Sequence, residues 1–134
     1  MSVTHIRAAL ETALNNITPA LATAWQNAPY TPVSGTPYQR VTILTGEPDN
    51  REFGASYTEQ GYMQVDLCYP QNVGAGAVES RFEILRAFFK RGVTLINGGI
   101  TTTITATPEL SPAYIDGDRF IRTVKIRFHA YISQ

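Results

Sequence analysis

The chain has 134 residues, 43% hydrophobic and 16% charged, with 11 Lys+Arg balanced by 11 Asp+Glu. This composition excludes a disordered chain, and the zero formal charge argues against a protein that grips nucleic acid through its phosphates. A single cysteine, Cys68, excludes an intrachain disulfide, and no apolar run approaches the ~20 residues that span a bilayer, so the expectation is one domain over 1–134 in a reducing, cytosolic setting.

The first predicted element is a helix over 3–16, with Ser2 as its cap. Val3, Ile6, Leu10, Ala13, Leu14 and Ile17 fall on one stripe, and Asn15, Asn16 and Pro19 end it. Residues 21–26 read as a short strand carrying Trp25. Residues 27–37 hold Pro29, Pro32, Gly35 and Pro37 and are expected to be irregular but stiff. Their aromatic content, with Trp25, Tyr30 and Tyr38, fits either a cover over one end of the core or a partner surface.

Residues 38–45 read as a strand with Val41 and Ile43 inward. Residues 46–58 then form a long loop or an extended hairpin arm. Arg51, Glu52 and the lone aromatic Phe53 mark it as a candidate partner-binding loop, mobile when free and ordered on a partner.

Residues 61–69 alternate with period two: Met63, Val65, Leu67 and Tyr69 on one face, Gln64, Asp66 and Cys68 on the other. Cys68 faces either solvent or a covering layer. Pro70 stops the ladder, Gly74 and Gly76 shape a turn, and a helix is predicted from Ala77 to about Lys90. Val78, Phe82, Leu85 and Phe89 form its core stripe. Glu79 and Glu83 early, with Arg86, Lys90 and Arg91 late, suit the helix dipole, and Gly92 is its C-terminal stop.

A short strand over 93–96 turns at Asn97-Gly98-Gly99, a primed-type hairpin signal, into a return strand over 100–107. That strand shows Thr101, Thr103, Thr105 and Thr107 on one face. Pro108 and Pro112 bracket a loop, and Asp116-Gly117-Asp118 is a turn. The last strand, 119–132, turns Val124, Ile126, Phe128, Ala130 and Ile132 inward and Lys125, Arg127, His129 and Tyr131 outward. The expected architecture is α+β: a two-layer sandwich, with both helices on one face of a mixed, mainly antiparallel sheet.

Catalytic chemistry is not visible. His5 and His129 lack metal-ligand spacing with any cysteine or second histidine. No serine sits in a nucleophile elbow. Gly74-Ala75-Gly76 lacks both the third glycine of a dinucleotide fingerprint and the Gly-Lys-Ser/Thr ending of a P-loop. Asp116 and Asp118 read as turn residues. No catalytic, cofactor-binding or metal-ligating residue is assigned, and the expectation is a protein that is not an enzyme.

The order of elements, with Ala28-Pro29-Tyr30-Thr31-Pro32, Gly61-Tyr62-Met63-Gln64-Val65-Asp66, Tyr69-Pro70 before Gly74 and Gly76, and Val124-Lys125-Ile126, resembles the tail terminator proteins of long-tailed bacteriophages. That resemblance spans nearly the whole chain. It implies a structural virion protein, assembled in the bacterial cytoplasm, that forms a hexameric ring on the tail tube, ends tube growth and presents a joining surface to the head-completion protein. Its implied partners are itself, the tube protein and the head-completion protein, with no membrane, nucleic acid or cofactor. A head–tail connector subunit and, less favoured, a small ligand-binding or enzymatic domain are the alternatives. Ring subunits meeting head to tail need two different surfaces. The candidates are the second helix's flank, Arg81, Ile84 and Phe88, and the outward face of the last strand, Lys125, Arg127 and His129.

Overall fold

A computed structural model describes residues 2–50, 54, 56–72 and 74–132. Two helices, α1 (Ser2–Asn15) and α2 (Gly76–Phe88), accompany eight strands: β1 (Ala22–Ala24), β2 (Tyr38–Thr45), β3 (Tyr57–Pro70), β4 (Thr94–Asn97), β5 (Ile100–Ile104), β6 (Glu109–Leu110), β7 (Tyr114–Asp116) and β8 (Arg119–Ile132). The strands form one curled, mixed sheet in the order β1-β2-β3-β8-β5-β4, with β6 and β7 also paired to β8. Among the described residues β1–β2 is the parallel pair, and the other pairings are antiparallel.

Register explains the core. Val41 lies opposite Val65, which lies opposite Val124; Ile43, Met63 and Ile126 make the next row. Inward residues of these rows join Ile6, Leu10 and Leu14 of α1 and Val78, Phe82 and Leu85 of α2 in one buried cluster. Period-two alternation on the strands meets a four-and-three spacing on the helices, and each buries its apolar side against the other. The nine core residues expected from that periodicity, Leu10, Leu14, Val65, Leu67, Phe82, Leu85, Ile104, Ile126 and Phe128, are all buried.

Several boundaries differ from expectation. α2 stops at Phe88, and the following Phe89, buried in the core, caps it by donating its N–H to the Leu85 carbonyl. Ser2 lies within α1 rather than before it. Val3 is exposed, because only one side of α1 faces the sheet. β5 ends at Ile104, the expected loop between Pro108 and Pro112 contains β6, and β7 follows it, leading into the expected turn at Asp116-Gly117-Asp118. Strands of two and three residues are too short to show periodicity, so their pairing to β8 is a tertiary event.

The 46–58 arm is a hairpin extension at its base. Gly46 donates its N–H to the Gln60 carbonyl at 2.6 Å, and Asp49 and Thr58 exchange two backbone hydrogen bonds. Arg51, Glu52 and Phe53 lie outside the described residues. Gly61 is required here: a Cβ would strike the Leu44 carbonyl of the neighbouring strand. At the other edge, Asn97 pairs with Ile100 across Gly98-Gly99, both at positive φ. His5 of α1 hydrogen-bonds Asn97 Oδ1 at 2.9 Å and seats the helix on this turn.

Candidate interaction surface

The sheet face turned away from the main core is built as successive rows across β2, β3 and β8. Tyr38, Cys68 and Ile121 form one row. Arg40, Asp66 and Thr123 form the next, then Thr42, Gln64 and Lys125, then Leu44, Tyr62 and Arg127. His129 follows, opposite Gln60 of β3.

The first row is covered. Tyr38, Cys68 and Ile121 make a second, smaller buried cluster, with Tyr30 packed against it. The Tyr30 and Tyr38 rings lie 5.2 Å apart. Arg119, also buried, pins the proline-rich segment down by donating to the Thr36 carbonyl and, at 2.6 Å, to the Val33 carbonyl. Its guanidinium sits 4.9 Å from the Tyr38 ring centre. The segment over 27–37 therefore serves as a cover for the outward sheet face, while Trp25 packs against the main core. Cys68 faces this covering layer. Burial pushes its thiol, and the Tyr38 phenol beside it, above their ordinary values. A thiol so held stays protonated and unreactive.

The second row is a polar network. Arg40 pairs with Asp66 at 3.3 Å, and Thr123 Oγ1 donates to Asp66 Oδ1 at 2.7 Å.

The last rows are open. Lys125 Nζ lies 4.5 Å and Arg127 Cζ 6.0 Å from the Tyr62 ring centre, so two cations lie against one aromatic ring. Arg127 also meets Glu109 of β6 at 3.3 Å, a pair half-exposed on both sides. Around them opens a groove of about 700 Å³, lined by Leu44, Gln60, Gly61, Tyr62, Arg127 and His129 among others. The close approach of β2 at Gly61 shapes its floor.

The structure thus brings Lys125 and Arg127 together on Tyr62. It separates them from α2, whose buried residues belong to the main core. Arg81 must be corrected: it is no surface residue, but is buried, with one nitrogen donating to the Pro19 carbonyl. Burial lowers its pKa from the ordinary arginine value. It is a clamp between α2 and the α1–β1 connection, because the inward side of α2 reaches further around the helix than the four-residue stripe implies. Ile84 is partly buried against the core. Phe88 is 39% exposed and meets Phe89 edge-on at 5.2 Å.

Sequence reasoning missed Tyr62 and Leu44, although both are outward by the same alternation that put Val41, Ile43 and Met63 inside. It also missed Arg119, whose partners are backbone carbonyls more than eighty residues away in sequence. Among the described residues no group of three His, Cys, Asp or Glu is placed to hold a metal ion, and no helix is long and apolar enough to cross a membrane.

Comparison with known proteins supplies the remaining evidence. A family model described as "Phage tail terminator protein" matches residues 5–128. No curated protein matches the sequence. Nine solved chains match its fold. One of them superposes with a TM-score of 0.80 over 100% of this chain and 99% of its own, at 23% identity, a likeness that establishes the fold alone.

Proposed function

The chain belongs to the phage tail terminator family, a structural and non-enzymatic family whose members are components of the virion tail, and from that premise we propose that it caps the tail tube. The carrying observation is the family match over nearly the whole chain. On this reading the 134 residues form one two-layer domain, with both helices on one sheet face. Six copies close into a ring on the finished tube, stop its polymerisation and offer their far side to the head-completion protein. The setting is a phage or prophage tail, assembled in the bacterial cytoplasm.

Two exposed surfaces support the reading. One is the outward end of β8, where Arg127 lines the open groove and Lys125 lies beside it on the Tyr62 ring. The other is the flank of α2 at Phe88, with Ile84 beside it. The 46–58 arm, with Arg51, Glu52 and Phe53, is the proposed partner-binding loop. Amide exchange in the free protein is expected to be faster there than in Gln64–Leu67.

The test is capping itself. Tails from a terminator-null phage complemented with this protein should keep their proper length in electron micrographs. With Phe88→Glu the isolated chain should remain folded, at a cost of about 1 kcal/mol for the lost edge-on contact, while tails run long. Unfolding of the Phe88→Glu chain would remove Phe88 from the interface. Overlong tails with wild-type protein in a matched phage would end the terminator reading.

A further inference from the structure

β8 carries two exposed features at its opposite ends, and they are chemically complementary. One is the groove of Leu44, Tyr62, Arg127 and His129. The other is the β7–β8 hairpin. All seven residues over 112–118 are exposed, although three of them, Tyr114–Asp116, are paired in the sheet. The hairpin is tied to the body through the Gln71 N–H on the Asp118 carbonyl, Arg40 on the Tyr114 hydroxyl and an Arg119–Asp118 pair at 3.6 Å, and its side chains otherwise face solvent. Its tip turns at Gly117, at positive φ. It presents Asp116 and Asp118, with Tyr114 on the same side as Asp116 and Ile115, 59% exposed, on the other.

The groove offers Arg127, with Lys125 beside it on the Tyr62 ring, and an apolar rim. The hairpin offers two carboxylates and two large apolar side chains. Within one chain they cannot meet: Asp118 and His129 are eleven residues apart along an extended strand, about 36 Å at roughly 3.3 Å per residue. Two unlike, matching surfaces on opposite ends of a subunit are what a head-to-tail contact requires, and opposite charge steers such a contact and fixes its register.

We infer that the Tyr114–Asp118 hairpin of one copy seats in the Leu44–Tyr62–Arg127 groove of the next copy. The inference rests on the ring reading above and names the surface that meets the outward end of β8. It leaves the Phe88 flank free for the tube or the head-completion protein. In the seated contact the hairpin enters edge-on between β2 and β8 of the next copy, with Asp116 toward Arg127 and Lys125 and with Ile115, on the hairpin's other side, toward Leu44.

Paired cysteines test it on the full chain, since the native Cys68 is buried and does not compete. Ile115→Cys and Leu44→Cys chains are mixed, concentrated or loaded on tail tubes, and mildly oxidised. A disulfide between position 115 of one chain and position 44 of another is expected, identified by mass spectrometry. Adding Arg127→Glu to the Leu44→Cys chain should cut its yield about tenfold, and adding Asp116→Lys to the Ile115→Cys chain should do the same. Only 115–115 or 44–44 bridges, or no bridge in solution and on tubes, would overturn the contact. Tube length in the same samples is scored separately. Capped tubes without the 44–115 bridge sink the contact and leave the capping reading standing, and the bridge with uncapped tubes does the reverse.

Discussion

At one end of the outward sheet face, Tyr38, Cys68 and Ile121 lie buried under Tyr30 and the proline-rich segment. Three rows along the same strands, Leu44, Tyr62 and Arg127 line an open groove. Strand, alternation and pairing partners are the same at both ends. What differs is a cover: residues 27–37 reach only the first end, and buried Arg119 holds them there through two carbonyls. The difference teaches that an outward strand position has no fate of its own. At the covered end outward residues serve stability. At the open end they are free for another molecule.

The largest expected effect tests the support common to both ends. Phe128→Ala empties a site on the inward face, where Phe128 is buried opposite Gly61 and Ile104. It should cost about 4 kcal/mol in urea unfolding. A loss as small as that of an outward substitution would show that the helices and sheet are not packed on this row.

Next comes the pin of the cover. Arg119→Met keeps the aliphatic stem but leaves the Val33 and Thr36 carbonyls without their donor. It should cost about 3 kcal/mol and make a probe at Cys68 reactive. A stability change below half of that, with Cys68 still protected, would mean that the cover holds by its aromatic contacts alone.

A pH profile sharpens the contrast further. Burial holds the Cys68 thiol above its ordinary 9.0 and the Tyr38 phenol above its ordinary 10.0. Tyr69, on the inward side, is raised by burial too. The folded chain therefore keeps protons that the unfolded chain releases. Stability should be level below about pH 9 and fall as pH rises through the folded values. Cys68→Ala should make that alkaline fall shallower without removing it. An unchanged slope in that variant would take Cys68 out of the covered cluster.

The smallest effect belongs to the open end. Arg127→Ala breaks only a half-exposed pair with Glu109 and a distant contact with Tyr62. Its cost should stay within about 0.5 kcal/mol. A loss near that of Arg119→Met would show that the open end is structural after all.

Local chemistry was enough for the long elements. Alternation from Met63 to Leu67 and from Val124 to Ile132, the four-and-three spacing from Val78 to Phe89, and Asn97-Gly98-Gly99 each state their structure within a few residues of chain, because side-chain direction repeats with the backbone. The family resemblance was likewise carried by such short stretches. Three things were decided only when the chain closed on itself: β6 and β7 pair to β8 with too few residues to show a period, Arg81 turns inward to the Pro19 carbonyl, and the 27–37 segment lies over Cys68 and not over Tyr62. The physical reason is the same for all three. Each depends on a partner far away in sequence, and periodicity specifies which way a side chain points but not what the rest of the chain lays over it.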